Sequence, residues 1–262
     1  MTSEPHFKNP NPKLIGKWYL NSNNLVFLDF IAFTMKIIRL SLFFCCTPLI
    51  FSCNDKMEEP LGLELDFQPL EIGNYWIYQV DEIQYFGEGD SESYSFYFRD
   101  KIMDSFENEE GLDVFRLVRS KSIDGVDWQN ESVFTLQMEK NSLVKKEGNQ
   151  VEVTLVFPPM VGKSWDANVY DAKQADFYAI TEMGIIHSIG TNQVNTLTVL
   201  QADEDDAIIL RDKRYQVFGK GIGLVESYEE ILQYCSRNEC LGEQIIEEGR
   251  FRHLSISEYG KN

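Results

Sequence analysis

Trp76-Ile77-Tyr78-Gln79-Val80 is the stretch whose reading decides the fold. A strand sends successive side chains to opposite faces, so Trp76, Tyr78 and Val80 share one side while Gln79 takes the other. The pattern recurs in Tyr94, Phe96 and Phe98, in Phe134, Leu136 and Met138, and in Val151, Val153, Leu155 and Phe157. Neighbours such as Ser95, Thr135, Gln137, Glu152 and Thr154 suit a solvated face. Period-two alternation with one apolar side is the pattern of an antiparallel sheet. Turn-forming groups separate the runs at short intervals: Gly87-Glu88-Gly89-Asp90, Asn108-Glu109-Glu110-Gly111, Asp124-Gly125, Glu147-Gly148-Asn149 and Asp203-Glu204-Asp205-Asp206. Strands joined this way make a meander of hairpins. Only residues 172–183 and 207–214 leave room for a helical turn or two. The predicted fold is all-β or β-dominated, an antiparallel meander forming a curved sheet, an open barrel or a sandwich, with an N-terminal signal helix ahead of it.

The approach to Trp76 has an echo. Phe67-Gln68-Pro69-Leu70-Glu71-Ile72-Gly73-Asn74-Tyr75-Trp76 is answered, one residue shorter, by Phe157-Pro158-Pro159-Met160-Val161-Gly162-Lys163-Ser164-Trp165. In each, proline restricts the approach, glycine permits a tight turn, and a tryptophan opens a strand with an indole that needs one hydrogen-bond partner. Residues 67–262 therefore read as one β-rich domain with two similar halves, 67–156 and 157–262. The alternative is chance convergence of two strand approaches, since one matching pair is not a periodic array.

Upstream of the sheet, Met35-Lys36-Ile37-Ile38-Arg39 is a short basic segment, Leu40 to Phe51 an apolar run, and Ser52-Cys53 a small residue before a cysteine. That is the order of a secretory signal. The run is shorter than the roughly 20 residues a transmembrane helix needs, and it contains Pro48. Ile50-Phe51-Ser52-Cys53 resembles the lipobox of bacterial lipoproteins, although Phe51 stands where that pattern has a smaller residue. The resemblance implies that Cys53 receives a diacylglycerol group and becomes the new N-terminus, its acyl chains, palmitate among them, mooring the protein to a membrane. Residues 1–34 then read as an upstream extension without structural role, 35–52 as the signal peptide and 53–66 as an acidic tether. One helix or helical hairpin from Leu25 to Phe51 is the alternative. Asn54-Asp55-Lys56-Met57-Glu58-Glu59-Pro60 resembles the acidic segment that sends lipoproteins of the Bacteroidetes type to the outer face of the outer membrane. It implies an outer-membrane lipoprotein, facing the periplasm or the cell surface.

Cysteine use agrees with export. Cys45 and Cys46 fall in the cleaved segment and Cys53 carries lipid, which leaves Cys235 and Cys240 to pair across Ser236-Arg237-Asn238-Glu239 in an oxidising compartment. The chain holds 24 basic and 42 acidic residues, and 19 and 40 without residues 1–52. So acidic a surface repels nucleic acid and anionic headgroups. No nucleic-acid partner, metal or other cofactor is expected.

Together with Gly219-Lys220-Gly221-Ile222-Gly223-Leu224-Val225, the two approach motifs resemble those of a loose group of bacterial extracytoplasmic lipoproteins, which show P-L-x-x-G-x-x-W after the tether and G-x-G-L-V before the last strands. The resemblance implies a membrane-anchored β domain and transfers no catalytic residue. Chemistry-bearing residues are few in the rest of the chain. His187 and His253 sit in strand-like runs, and no Gly-x-Ser-x-Gly elbow is present. Acid pairs such as Asp205-Asp206, Glu229-Glu230 and Glu247-Glu248 are too common to mark a site, though two carboxylates can run glycoside hydrolysis. Asp203-Glu204-Asp205-Asp206 lacks the spacing of a calcium loop. The expected function is a lipid-anchored binding or interaction module of the cell envelope, not an enzyme, holding an unknown protein, glycan or apolar ligand. The alternatives are a carrier enclosing a lipid in a curved sheet and a carboxylate-pair hydrolase.

Overall fold

The computed structural model describes residues 62–262. The extension, the signal peptide with its predicted helix, Cys53 and the tether as far as Leu61 lie outside the described residues. Among the described residues a 3-10 turn, Leu65–Phe67, precedes twelve strands: β1 (Asn74–Gly87), β2 (Asp90–Glu107), β3 (Asp113–Ser122), β4 (Gln129–Glu139), β5 (Ser142–Glu147), β6 (Gln150–Val156), β7 (Ser164–Asp166), β8 (Phe177–Ile189), β9 (Asn192–Asp205), β10 (Leu210–Gly219), β11 (Gly223–Tyr234) and β12 (Ile246–Lys261). They form one sheet in the order β6-β5-β4-β3-β2-β1-β12-β11-β10-β9-β8-β7. Every ladder is antiparallel, so the predicted meander is the observed fold, and it rolls into a nearly closed barrel. Two six-strand meanders meet along β1 and β12, from Asn74 opposite Lys261 to Tyr85 opposite Gly249. The outermost strands, β6 and β7, carry no regular ladder to each other. A seam joins them instead: the Val153 amide donates to Ala167 O (2.9 Å) and the Trp165 indole to Val153 O (2.8 Å). It occupies backbone groups that a bare edge would offer to another chain.

The approaches to β1 and β7 are built alike. The Gly73 amide donates to Ile102 O on β2 (3.0 Å), and the Gly162 amide to Ile180 O on β8 (2.8 Å). Both glycines hold a left-handed φ, +92° and +85°, where a side chain would be strained. Phe67 and Phe157 are buried ahead of them. The Phe67 turn is tied to the β10–β11 turn by the Gly221 amide donating to Asp66 O (2.7 Å), and Phe157 to the β4–β5 turn by its own amide donating to Asn141 O (2.8 Å). Glu64 also accepts from Lys220 Nζ (3.0 Å), so the last residues of the segment read as a tether rest on the domain. The glycines of residues 219–225 serve strand and turn geometry. A Cβ on Gly223 would stand 2.9 Å from Gln68 Nε2.

These turns close one end of the barrel, here the near end. It holds Gly73, Asn262 and the β2–β3, β4–β5, β6–β7, β8–β9 and β10–β11 connections; antiparallel pairing puts the other six at the far end. One apolar cluster fills the interior, with Trp76, Tyr78, Val80, Phe98, Leu117, Leu136, Leu155, Phe218 and Leu254 among its members.

Several sequence expectations need correction. Residues 172–183 and 207–214 form no helical turn: Phe177–Ile189 is β8 and Leu210–Gly219 is β10. Pairing of β10 with strands on both sides satisfies its backbone and overrides local preference. Asp203 and Glu204 lie in β9, and the turn begins only at Asp206. Val153 and Leu155 do not share a face. Leu143 pairs with Leu155 and Val144 with Val153, which leaves Thr154 as a bulge, and Val153 joins a separate small cluster with Val144 and Val156. Tyr94 is half exposed, unlike Phe96 and Phe98.

Candidate functional site

On most strands the inward face starts apolar at the near end and turns ionic toward the far end; on β2 the order differs, with Asp100 opposite Trp76 and set between Ile102 on its near side and Phe98 on its far side. On β1 the row Trp76, Tyr78, Val80 continues into Glu82; opposite it on β12, Leu254 gives way to Arg252 and Arg250. On β11 Ser227 is followed by Glu229, which faces Arg252 across the ladder. On β3 Leu117 precedes Arg119, and on β5 Leu143 precedes Lys145. Where the two regimes meet, a cavity of about 130 Å³ is lined by Trp76, Tyr78, Phe134, Leu136 and Leu254 on its apolar side and by Asp100, Arg119, Lys145, Glu229 and Arg252 on its ionic side.

Most of the charges inside are paired, although Arg250 Nε is buried without a hydrogen-bond partner among the described residues. Arg119 forks onto Asp100 with two bonds of 2.7 Å, and the two side chains are only 17% and 6% exposed. Arg252 pairs with Glu82, Arg250 with Glu229 at 2.8 Å and Lys145 with Glu147 at 2.8 Å. The cations also lie over aromatic faces: Arg119 is 4.7 Å from the Phe98 ring centre, Lys145 4.8 Å from Phe134 and Lys121 3.9 Å from Phe96. Aromatic faces beside paired charges lower the cost of ions in a barrel. Burial opposes the charge on Arg119, yet the Asp100 carboxylate outweighs it and holds the guanidinium pKa above its ordinary value. Burial, with the Asp100 charge adding to it, pushes the Tyr78 phenol well above its usual range, so it stays neutral and donates to Leu224 O (3.1 Å). Burial works against the Glu147 carboxylate too, but Lys145 brings its pKa below the usual range.

The cavity is close in size to the roughly 150 Å³ that accommodates a benzene ring. Its polar lining suits a small polar guest or ordered water.

The residues singled out by sequence take scattered positions. Cys53 lies outside the described residues. Cys235 and Cys240 form a disulfide in the β11–β12 connection, with Cα atoms 5.8 Å apart and both residues buried. His187 is on β8, remote in the ladder from His253 on β12. His253 Nε2 lies 3.0 Å from Glu226, which also accepts from the Tyr215 hydroxyl at 2.8 Å. Glu229 and Glu230 are strand neighbours on opposite faces, Glu229 bound to Arg250 and Glu230 to Arg211. Asp206 caps its own turn, accepting from the amides of Ile208, Ile209 and Leu210 at 2.7–2.9 Å. The Tyr215 and Tyr228 rings stack on each other, 5.1 Å apart and nearly parallel, which uses the faces a flat ligand would need. Sequence reasoning missed the inward charges. Their signal is phase: Glu82, Asp100, Arg119 and Lys145 each fall two residues after a buried apolar residue on the same strand.

No known protein family and no curated relative matches the chain. Among solved structures, it is similar to a Bacteroides fragilis protein named for export and for a YmcC-like fold, at 8% identity and a TM-score of 0.39, covering 74% of this chain and 99% of the other. It is also similar to a protein from Parabacteroides distasonis named as a lipoprotein, at 10% identity and a TM-score of 0.36, covering 74% and 98%.

Proposed function

We propose that the protein is a lipid-anchored, non-catalytic interaction module of the cell envelope, held to the outer membrane through acylated Cys53. The observation that carries the binding part is how the barrel is filled. Inside the barrel, side chains and paired charges leave a cavity of about 130 Å³, whereas a carrier of acyl chains needs several hundred; a larger hollow of about 630 Å³ is a groove over β3 to β6 lined by the exposed Phe106, Val133 and Tyr170. A carboxylate-pair hydrolase places two acids around a substrate cleft, and Asp100, Glu82, Glu229 and Glu147 are each engaged by a cation. Partners then meet the outer surface and the ends of the barrel. The anchor rests on the order of basic segment, apolar run and cysteine in residues 35–53. The same reading takes 67–156 and 157–262 as related halves, supported by the matching bonds of Gly73 and Gly162.

Two measurements test this. Cys53→Ala should move the protein from the membrane fraction to the soluble one and abolish labelling by radioactive palmitate; a variant that stays bound makes the apolar segment itself the anchor. Native mass spectrometry of the purified protein should find no stoichiometric guest inside the barrel. A bound lipid recovered at one per chain would make it a carrier.

A further inference from the structure

The far end of the barrel carries exposed apolar groups on turns that are distant in sequence. Ile208 and Ile209 on the β9–β10 connection and Leu241 and Ile245 on the β11–β12 connection are each about half exposed. Strands β9 to β12 are consecutive in the sheet, which sets the two turns side by side, and the Tyr234 amide donates to Ile209 O (2.7 Å) and the Cys235 amide to Ile245 O (2.7 Å).

These tips are held in place. Asp206 caps the turn that presents Ile208 and Ile209. The Cys235–Cys240 disulfide closes the loop beside Leu241. Branched apolar groups on pinned turns give little to the core and lose little freedom when another surface covers them, the condition that favours docking. The same turns are acidic: Asp205 and Asp206 precede Ile208, and Glu239 and Glu243 bracket Leu241, against the one arginine, Arg237, that pairs with Glu247. Charge complementarity therefore selects a basic partner and opposes an anionic bilayer. Both ends of the described chain lie at the near end, where Glu64 meets Lys220 and the Asn262 amide donates to Gly73 O.

We propose that the far-end turns are a docking surface for a cationic, amphipathic protein segment. This deepens the interaction reading above and does not depend on the anchor. The test uses the full chain in neutral detergent and two synthetic amphipathic peptides of equal length and apolar content, one with lysine and one with glutamate on the polar face, followed by fluorescence anisotropy. The lysine peptide should bind saturably and the glutamate peptide should not. The triple variant Ile208→Ser, Ile209→Ser, Leu241→Ser should raise Kd at least tenfold while its thermal melt stays that of the parent. Ile185→Ser with Ile186→Ser, exposed on β8 toward the near end, should leave Kd within twofold. Equal binding of both peptides, equal loss in the near-end variant, or no saturable binding of the lysine peptide would overturn the proposal. So would far-end-dependent binding to neutral phosphatidylcholine vesicles, which would make the surface a lipid contact. A failed anchor would show in the Cys53→Ala fractionation and leave these titrations unaffected.

Discussion

Arg119 and Asp100 sit where a strand reading from sequence expects a buried face, and each stabilises the other's charge in a place neither could occupy alone. The bidentate bonds and the Phe98 ring offset a desolvation cost that two exposed side chains would not meet. Removing one partner is therefore worse than removing both. Arg119→Met should lower unfolding stability by about 3–5 kcal/mol, because Asp100 is left buried and unpaired, while Arg119→Met with Asp100→Leu should recover most of the loss. Urea denaturation of the three proteins checks this; a double variant as unstable as the single one would contradict it. The pair was not legible in the sequence, because an acid two residues beyond a buried phenylalanine looks like the end of a strand entering solvent. Only closure of the sheet, which puts a second wall opposite the first, shows that the face continues inward.

Hairpins and turns were the elements most open to sequence reading, because alternation and glycine-rich turns are local signals. Trp76, Tyr78 and Val80 lie on one buried face as expected. Errors fell where one residue changes the phase, as at the Thr154 bulge, or where a ladder on both sides overrides a weak local preference, as at β10. The β9–β10 turn shows what a fragment read as a mere acidic run contributes. The amides of Leu210, Ile209 and Ile208 hold the Asp206 carboxyl below its ordinary pKa. A carboxyl lowered in the folded state adds stability that is fully present above the unfolded value, about 3.9, and disappears as pH falls through the folded one. Asp206→Asn keeps an acceptor without the charge, so its urea midpoint should fall less steeply than the parent's between pH 4 and pH 2. Parallel slopes for the two proteins would remove Asp206 from the acid transition.

Across the whole molecule the two lines of closure differ in kind. β1 and β12 share a long regular ladder, whereas β6 and β7 meet through a few bonds around Val153 and Trp165. Local opening should begin at the second. Native-state hydrogen exchange should find the Val153 amide less protected than that of Val80, and Trp165→Phe should widen the difference; equal protection at the two sites would make the barrel uniformly closed. Neither closure was visible in sequence, since each joins segments that no periodicity relates. The β1–β12 ladder carries one more consequence. The first strand to leave a ribosome or a translocation pore waits, with one margin vacant, for a mate made about 180 residues later, so the barrel cannot lock until the final strand emerges and the chain remains threadable throughout its passage.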